Sequence, residues 1–470
     1  MEVCCPYFDP EFDNLNEKIY GPRVYVDNES CERCTVVKVN SLNKQGLLLE
    51  VLEVLADVDL FINKSYISSD AGWFMDVFHV KDQRGSKIYD RKIIGYIKEA
   101  IGARRDRKNS EVRISKGIAT KSETASECTA IEMIGPNRPG LFSEISAVLA
   151  EQRCNVVEAH AWSHNDCLAC VAYISDESTS TVINDPDRLA TIEDHLSTVL
   201  RPATAYCDRD KGVKAHFLGC DSSMSHTERR LHQLMLANRD FDGPPRPTTA
   251  STFSSMEING DGEGRRTVVS IDRCNEKRYS VVNVDCVDRP KLMFDTVCTL
   301  TDMQYIVFHA SSTSHGPFAS QEYYIRHKDG RMLDSAGEKQ LVVKCLEAAI
   351  ERRICEGVRI ELCTENTAGL LSYITRVLRE NGLTVAHADI ATRGEKTRSV
   401  LYVRDISGNK VDLGVIESIK RELEPFAFQV RNEQALPRKY SSEGGDGYGF
   451  SFVSLLRSQL ERFSHSFVSI

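Results

Sequence analysis

The pattern of apolar and polar positions repeats four times along the chain. Each copy opens with an apolar run of the length expected for a buried strand. A short loop that carries Gly or Pro follows, and apolar residues then recur at the spacing of one helix face. The four strand-like runs span residues 36–39, 128–134, 281–287 and 358–362.

The helix after each loop shows the same apolar stripe. In three copies, apolar residues stand at one position and then four, seven and eight positions later, which places them on one face of an α-helix. In the third copy the stripe is looser and consists of Leu292, Met293, Val297 and Leu300. The three regular stripes are Leu47, Val51, Val54 and Leu55; Leu141, Ile145, Val148 and Leu149; and Leu370, Ile374, Val377 and Leu378.

The segment after each stripe predicts two strands and a second helix. In the second copy, the strands span residues 155–163 and 167–174, and the helix covers residues 187–200. A last short strand is expected to close each copy. The predicted order is β-α-β-β-α-β, an α+β unit with two helices on one face of an antiparallel sheet.

The four loops between the first strand and the first helix are candidate binding sites. They span residues 43–47, 137–141, 288–292 and 366–370. Pro suits a first helical turn, and Gly lets the backbone turn tightly and lets another group approach. Backbone N–H groups at a helix N-terminus favour a small anion such as a carboxylate. Most joints of this kind only turn the chain, so it is the repetition that gives the pattern its weight.

These residues resemble the ACT domain. A βαββαβ unit of this size with Asn or Asp, Pro, Gly and Leu at its first strand–helix joint is typical of that family. Four units with a long interruption after the second resemble the plant ACT-domain repeat (ACR) proteins, over most of residues 34–430. The resemblance implies four ferredoxin-like units paired side by side, the first with the second and the third with the fourth, or between chains in a homo-oligomer. Such pairing covers strand edges.

The repeat divides the chain into seven segments. In the first of them, Tyr25 and Val26 predict an edge strand added to the first unit. The segments are a leader (1–33), the first ACT unit (34–112), the second ACT unit (127–205), an insert with one helix (206–278), the third ACT unit (279–354), the fourth ACT unit (355–432) and a C-terminal tail (433–470).

The insert predicts a helix and the first of two paired strands. Ser225 and Glu228 form a capping box at the start of the helix. Residues 267–272 and 279–285 predict the paired strands. We expect the helix to cover an exposed sheet edge, with the docking of a partner as the alternative. The apolar face of the helix consists of Leu231, Leu234 and Met235.

The net charge and the cysteine content limit the kinds of binding partner and the cellular compartments that we expect for this protein. The formal net charge of −9 disfavours general attraction to nucleic acid. The 16 cysteines have no dense, regular spacing, which indicates reduced thiols in the cytoplasm or the nucleus. No uncharged apolar run is long enough to span a bilayer, and the acidic start does not resemble a targeting peptide. The basic run at residues 104–108 is interpreted as a solvated linker, with a nuclear-import signal as the alternative.

Two Cys-x-x-Cys pairs raise the question of a metal site. Neither the pair Cys31 and Cys34 nor the pair Cys167 and Cys170 has a second pair at zinc-site spacing. The later pair falls in a predicted strand, where residues three apart face opposite sides of the sheet. We therefore expect no metal and no cofactor.

The sequence also lacks the common catalytic motifs. No glycine-rich phosphate loop opens a helix, and no Gly-x-Ser-x-Gly nucleophile elbow occurs. Bacterial uridylyltransferases carry similar ACT units behind catalytic domains. In this chain the repeats use up the sequence, and neither the leader nor the insert could hold a catalytic domain. We therefore expect a protein that is not an enzyme.

The resemblance implies that the loops bind an amino acid where two units meet. The loop N–H groups would face the ligand carboxylate, and the Asn or Asp at the start of the loop would face its ammonium group. The third unit keeps Asp288 and Pro290 but has Lys291 in place of Gly, which would crowd its loop. The expected ligand-binding residues are Asn43, Lys44, Gly46 and Leu47 in the first unit; Asn137, Arg138, Pro139, Gly140 and Leu141 in the second, which matches best; and Asn366, Gly369 and Leu370 in the fourth.

Two functions from different classes remain open at this point. In the first, the chain is a metabolic sensor that binds an amino acid. In the second, it is an interaction scaffold whose units pair and bind nothing small, and the loops are only turns. Regulation of a separate partner enzyme in trans would combine the two.

Overall fold

The strands and helices predicted from the sequence recur four times in the structure, which is a computed structural model. It describes residues 22–42, 46–70, 73–103, 128–201, 214–217, 226–242, 267–274, 276–354, 357–407, 411–424 and 427–431. The basic run 104–108, the tail 433–470 and the predicted capping residue Ser225 lie outside the described residues.

Each unit has four strands and two helices. The first unit contains β1 (Arg23–Asp27), β2 (Thr35–Leu42), α1 (Leu47–Asp57), β3 (Phe61–Asp70), β4 (Trp73–Lys81) and α2 (Arg91–Ala103). The second unit contains β5 (Thr129–Pro136), α3 (Leu141–Glu151), β6 (Cys154–His164), β7 (Cys167–Asp176), α4 (Pro186–Leu200) and β8 (Lys214–Phe217). The insert helix is α5 (Thr227–Ala237), followed by a 3-10 turn (Asp240–Asp242). The third unit contains β9 (Val268–Cys274), β10 (Tyr279–Val287), α6 (Leu292–Asp302), β11 (Tyr305–His315), β12 (Phe318–His327) and α7 (Ala336–Glu351). The fourth unit contains β13 (Val358–Glu365), α8 (Leu370–Glu380), β14 (Leu383–Arg393), β15 (Lys396–Asp405), α9 (Leu413–Glu422) and β16 (Ala427–Arg431).

The first helix of each unit packs its apolar stripe into a core against one face of the sheet. All residues of the three stripes predicted with regular spacing are buried, which confirms that prediction. Removing a Val, Leu or Ile side chain from water contributes about 1.5–3 kcal/mol, so each stripe fixes its helix on the sheet. The first and third units share one core, and the second and fourth share another.

The four units pair side by side into two eight-stranded sheets, and neighbouring strands in the described part of the chain run antiparallel. Strand β3 pairs with β11, from Ser68 opposite His309 to Lys64 opposite Thr313. Strand β6 pairs with β14, where Trp162 stands opposite His387. The side-by-side antiparallel architecture expected from the sequence is confirmed.

The partners within each sheet differ from the expected ones. The first unit pairs with the third and the second with the fourth, so the prediction of pairs between consecutive units is wrong. Side chains of the paired units are in contact across both junctions. Ser65 Oγ lies 3.5 Å from Met293 Sδ in one pair, and Ser146 Oγ lies 2.7 Å from Thr375 Oγ1 in the other.

The strand that closes each unit comes from two different places in the chain. In the second and fourth units it follows the second helix, as predicted, and pairs β8 with β5 and β16 with β13. In the first and third units the same edge position is taken by β1 and β9, which come before the first helix of the unit and pair with β2 and β10. The expected last strand of the third unit is therefore wrong, whereas the edge strand at Tyr25 and the strand pair of the insert are confirmed.

The insert helix α5 covers a sheet face and not a sheet edge, which corrects the expectation. Leu231 and Met235 are buried against Trp162 and Tyr173 on the face of the second sheet opposite its own helices. On its other side α5 contacts α6 of the first sheet. Strands β5 and β7 are buried on both faces, so their apolar residues need a cover on the face that the helices of the unit leave free, and α5 provides it.

Buried ion pairs anchor the insert between the two sheets. Asp240 lies 2.6 Å from Arg352 Nη2 and 2.9 Å from His164 Nδ1, and the side chains of Asp240 and Arg352 are almost wholly inaccessible to solvent. Burial alone raises the pKa of Asp240, but the Arg352 charge and the His164 hydrogen bond overcome this and hold the pKa well below its usual range. The carboxylate is therefore charged and fully paired.

Replacing Asp240 with Ala should lower the free energy of unfolding by about 3–5 kcal/mol, because it leaves Arg352 buried without its counter-ion. Asp242→Ala is the matched control, since Asp242 pairs with the largely exposed Arg239. That control should cost less than about 1 kcal/mol. Urea denaturation measures both, and equal losses in the two variants would contradict the anchoring role.

A histidine joins the second unit to the fourth across the strand pair. His160 Nδ1 lies 2.7 Å from Asp389 Oδ1, and His160 Nε2 lies 2.7 Å from Glu158 Oε1. Burial lowers the pKa of His160, but the hydrogen bonds and charges of these two carboxylates outweigh it and raise the pKa to about 9. The junction therefore holds a protonated imidazole at neutral pH.

This junction should lose stability as the pH rises. A folded-state pKa of about 9 lies above the unfolded value of about 6.5, so the contribution is fully present below about pH 6.5 and is lost toward pH 9. Unfolding measured across that range should show a decline in wild type that is smaller in His160→Gln. A decline of the same size in both proteins would show that His160 is not its source.

Candidate functional site

The four loops take the same backbone turn in front of their helices. Gly46, Gly140 and Gly369 stand at the N-caps of α1, α3 and α8 with φ of 89°, 80° and 72°. Lys291 takes the same left-handed conformation in front of α6, with φ of 64°. Glycine adopts this region without strain, which explains its place in three of the loops. The predicted residues Asn43 and Lys44 lie outside the described residues.

The fourth loop lines a recess at the junction with the second unit. The recess has a volume of about 30 Å³, which is room for one or two water molecules. The predicted residues Asn366, Gly369 and Leu370 line it on one side. From the second unit, the recess is lined by the end of α3 and the start of β6, including Ala150, Cys154 and Asn155. Its floor comes from β14 and β15 of the fourth unit, through Ile390, Thr397 and Ser399.

The loop over this recess is open to solvent and anchored at its ends. The backbone N–H of Asn366 donates to the Glu395 carbonyl at 2.7 Å, and that of Leu370 donates to the Thr367 carbonyl at 3.1 Å. Gly369 is exposed, and an added Cβ there would meet no atom within 4 Å. A ligand can therefore approach the backbone at the start of α8.

The second loop, the best match by sequence, is closed by the protein itself. An ideal Cβ on Gly140 would stand 2.8 Å from Arg379 Cδ, and Gly140 is buried where Gly369 is exposed. Arg138 donates to the Val199 carbonyl at 3.0 Å and to Glu144 at 2.7 Å. Its hydrogen bonds lower the pKa of Glu144, so this predicted ligand-binding arginine is engaged within its own unit.

Corresponding residues beside these two loops differ in size. The tenth residue of α3 is Ala150, whereas the tenth residue of α8 is Arg379. Each faces the loop of the opposite unit. The strands that follow begin with Cys154 in the second unit and with the larger Leu383 in the fourth. Small side chains leave space beside Gly369, whereas the long side chain of Arg379 lies against Gly140.

The third loop is filled by charged side chains. Lys291 Nζ lies 2.8 Å from Asp59 of the first unit and 2.8 Å from Glu228 of the insert helix. Glu228 also lies 2.9 Å from Arg353. Burial lowers the pKa of Lys291, but the two carboxylates raise it above its ordinary value. Glu228 thus pairs with Lys291 of this loop. The N-cap residue of α5 is His226 and not the predicted Ser225, and its side chain makes no capping hydrogen bond.

The sequence identifies the residues of the fourth loop that line the recess, but not the residues of the second unit that line its other side. Asn366, Gly369 and Leu370 were expected, whereas Ala150, Cys154 and the other residues of the second unit were not. These residues lie far away in the chain and join the fourth loop only through the pairing of units. The available signal was the difference between corresponding positions, such as Ala150 and Arg379, but its meaning depends on knowing which units pair.

Neither metal ligands nor a membrane span occurs in the part of the chain that the structure describes. Among those residues, no group of three His, Cys, Asp or Glu side chains is placed to hold a metal ion. None of the described helices combines the length and the apolar character needed to cross a membrane. Cys167 and Cys170 face different cores on the two sides of the sheet, as the strand spacing predicts.

The paired ferredoxin-like units with a recess at their junction define a protein of the ACT-domain class. Family models agree, since an ACR-family N-terminal ACT domain matches residues 30–108 and an ACT domain matches residues 128–199. The chain belongs to the ACR family of ACT-domain proteins. It is 54% identical to the ACT domain-containing protein ACR2 of Arabidopsis thaliana, over 100% of this chain and 99% of that protein.

Two further relatives bear on the role of the chain. The ACT domain-containing protein ACR3 of Arabidopsis thaliana is 48% identical over 98% of this chain and 99% of its own length. A bifunctional uridylyltransferase/uridylyl-removing enzyme of Rhodospirillum rubrum is 37% identical, but over only 17% of this chain and 9% of the enzyme. The full-length relatives are named for a domain and not for a reaction, and membership of this family indicates a regulatory role.

Because Gly140 and Arg379 are in contact, we expect the effects of substitutions at these two residues on stability to be coupled. An added Cβ at Gly369, in the fourth loop, would meet no such neighbour. Gly140→Ala and Gly369→Ala should each cost about 1–2 kcal/mol, because both positions have a positive φ. Gly140→Ala should cost more, since the new methyl group must displace Arg379. In an Arg379→Ala background the excess should disappear. A double-mutant cycle by urea denaturation measures this coupling, and a value near zero would contradict the contact.

Proposed function

We propose that this chain is a regulatory sensor that binds an amino acid in the recess between the second and fourth units. The observation that carries the proposal is the recess itself, which combines an exposed Gly369 with small polar side chains at a unit junction. It is the position at which the ACT resemblance places an amino acid. The fourth loop is the preferred site, and the loops at Gly140 and Lys291 are occupied by the protein's own side chains.

The chemistry of the recess suits the two charged ends of an amino acid. Backbone N–H groups and the dipole at the start of α8 favour the carboxylate. The side-chain oxygen of Asn155 is an acceptor for the ammonium group, and Asn366 Oδ1, which accepts from Thr397 Oγ1 at 3.4 Å, can accept a second hydrogen bond. Because the recess has room for only one or two water molecules, it would enclose only part of the amino acid, and the rest would extend toward solvent beside the exposed Gly369. No charged side chain is among the residues that line the recess, so the discrimination rests on hydrogen bonding and size.

A ligand in the recess would strengthen the junction of the two units. It would contact the end of α3 from the second unit and the start of α8 from the fourth, and these two helices already pack together. Binding would therefore act on the contact between the two units that form the second sheet. The sensor would act on a partner enzyme in trans, in the cytoplasm or nucleus, which fits the free thiols of all cysteines that the structure describes.

An interaction scaffold is the second candidate function. It is favoured by the two loops that are filled by Arg379 and by Lys291, because those units use the loop position for packing alone. The two functions differ in whether a small molecule stabilises the chain.

A melting screen of the full chain against the twenty common amino acids tests the proposal. At 100 times the dissociation constant, a ligand should add about 2.7 kcal/mol to the free energy of unfolding and raise the melting midpoint. Ala150→Arg should abolish the rise, because the same side chain closes the corresponding position beside Gly140. Arg379→Ala changes the corresponding helix position and should leave the rise intact.

The outcomes separate the candidate functions. A rise in wild type and in Arg379→Ala, with none in Ala150→Arg, locates the ligand in the recess. A rise that persists in Ala150→Arg would place the ligand elsewhere. No rise with any amino acid at millimolar concentration would favour the scaffold.

A further inference from the structure

The loop between β1 and β2 carries two cysteines three positions apart. Cys31 is partly exposed, whereas Cys34, directly before β2, is buried, and both are free thiols. The pair lacks the second pair of ligands that a zinc site needs. In a protein with reduced thiols, the Cys-x-x-Cys motif is otherwise typical of thiol–disulfide exchange.

Hydrogen bonds anchor this loop on both sides of the two cysteines. Ahead of Cys31, Asn28 Nδ2 donates to the Ile88 carbonyl at 2.9 Å, and Lys87 Nζ donates to the Asn28 carbonyl at 2.8 Å. After Cys34, Thr35 Oγ1 donates to Asn28 Oδ1 at 2.6 Å and accepts from the Ile88 backbone N–H at 2.8 Å. The ends of the loop are therefore fixed to each other and to the segment before α2.

The loop surrounds the Cys31 sulfur with groups that favour a thiolate. The backbone N–H groups of Arg33 and Cys34 donate to it, the Cys34 thiol donates a further hydrogen bond, and the charge of Lys87 lies nearby. Led by the hydrogen bond from Arg33, these contacts outweigh burial and lower the pKa of Cys31. Stabilisation of the thiolate in this way makes a cysteine a reactive nucleophile.

The two thiols are unequal, as a pair that exchanges in two steps requires. Burial raises the pKa of Cys34 and outweighs the opposing charge of Lys81, and the neighbouring Cys31 raises the pKa further. Cys34 is only 3% exposed, so a reagent from solvent reaches Cys31 first. Once Cys31 has reacted, its negative charge is gone, and Cys34 loses its proton more easily.

The other pair with this spacing lacks these features. Cys167 and Cys170 lie in β7, where both are buried and face different cores on the two sides of the sheet. Burial raises the pKa of Cys170 to about 12. The spacing of the cysteines is therefore not sufficient, and the loop makes the difference.

We propose that Cys31 and Cys34 form a redox-active dithiol site, which exchanges reversibly with low-molecular-weight disulfides such as glutathione disulfide. The Cys31 thiolate attacks one sulfur of the small disulfide, which forms a mixed disulfide and releases one small thiolate. Cys34 gives its proton to that thiolate, and its sulfur attacks the Cys31 sulfur, which releases the second small thiolate. Two electrons thus pass from the protein dithiol to the small disulfide.

Peptide mapping of the full chain after incubation with glutathione disulfide tests the site. Remaining thiols are blocked with N-ethylmaleimide before digestion with trypsin, which cuts after Arg33 and separates the two cysteines. A disulfide joins the peptides that span residues 24–33 and 34–38, and mass spectrometry should detect this linked product. Dithiothreitol should remove it. Cys167 and Cys170, the matched pair of equal spacing, should stay reduced under the same treatment.

Single variants test the order of attack. Cys34→Ser should stop at the mixed disulfide and keep glutathione on Cys31, whereas Cys31→Ser should leave the buried Cys34 reduced. In wild type, iodoacetamide should alkylate Cys31 at least about 10-fold faster than Cys34, because the alkylating agent reacts with thiolates. Circular dichroism of both variants checks that the serine substitutions leave the fold intact.

Three results would overturn the proposal. The first is the absence of the linked peptide in wild type after equilibration with excess glutathione disulfide. The second is modification of Cys34 in Cys31→Ser as fast as in wild type. The third is equally rapid oxidation of Cys167 and Cys170. None of these measurements uses an amino acid, so their outcome is independent of the melting screen that tests the recess beside Gly369.

Discussion

The architecture depends on the hydrogen bonding of four strand edges in two pairs. A ferredoxin-like unit ends on one side at a strand whose backbone N–H and C=O groups need partners. Strand β3 finds them on β11, and β6 finds them on β14. This places the helices of two units side by side and creates the junctions at which the loops stand. The recess beside Gly369 is a consequence of the pair formed by β6 and β14.

The insert turns two paired sheets into one connected structure. Its helix lies between the apolar face of the second sheet and α6 of the first, and charged groups at both ends fix it there. Glu228 reaches the third loop, and Asp240 reaches Arg352 and His164. The same charges fill a loop that could otherwise face a ligand. The side chain of Glu228 thus takes part both in the packing of the insert and in the filling of the third loop.

The four copies have diverged in what stands beside each loop. The second loop has the sidechain of Arg379 next to it, and the third has its own Lys291 bound to two carboxylates. The fourth has only Ala150 and keeps a recess. The first has a buried acid, Asp76, beneath its helix. Four copies of one fold therefore differ in the chemistry beside their loops, and the units can have different roles for that reason.

Local sequence determined the units themselves. Apolar spacing fixed each first helix, and Gly at positions of positive φ fixed the turns before three of them, because these effects act between near neighbours. The tertiary structure alone decided which units pair, which strand closes each unit, and where the insert helix lies. Those outcomes depend on contacts such as Ser146 with Thr375, between residues far apart in the chain. For the same reason the sequence identified the loop at Gly369, whereas only the fold brought Ala150 to it and Arg379 to Gly140.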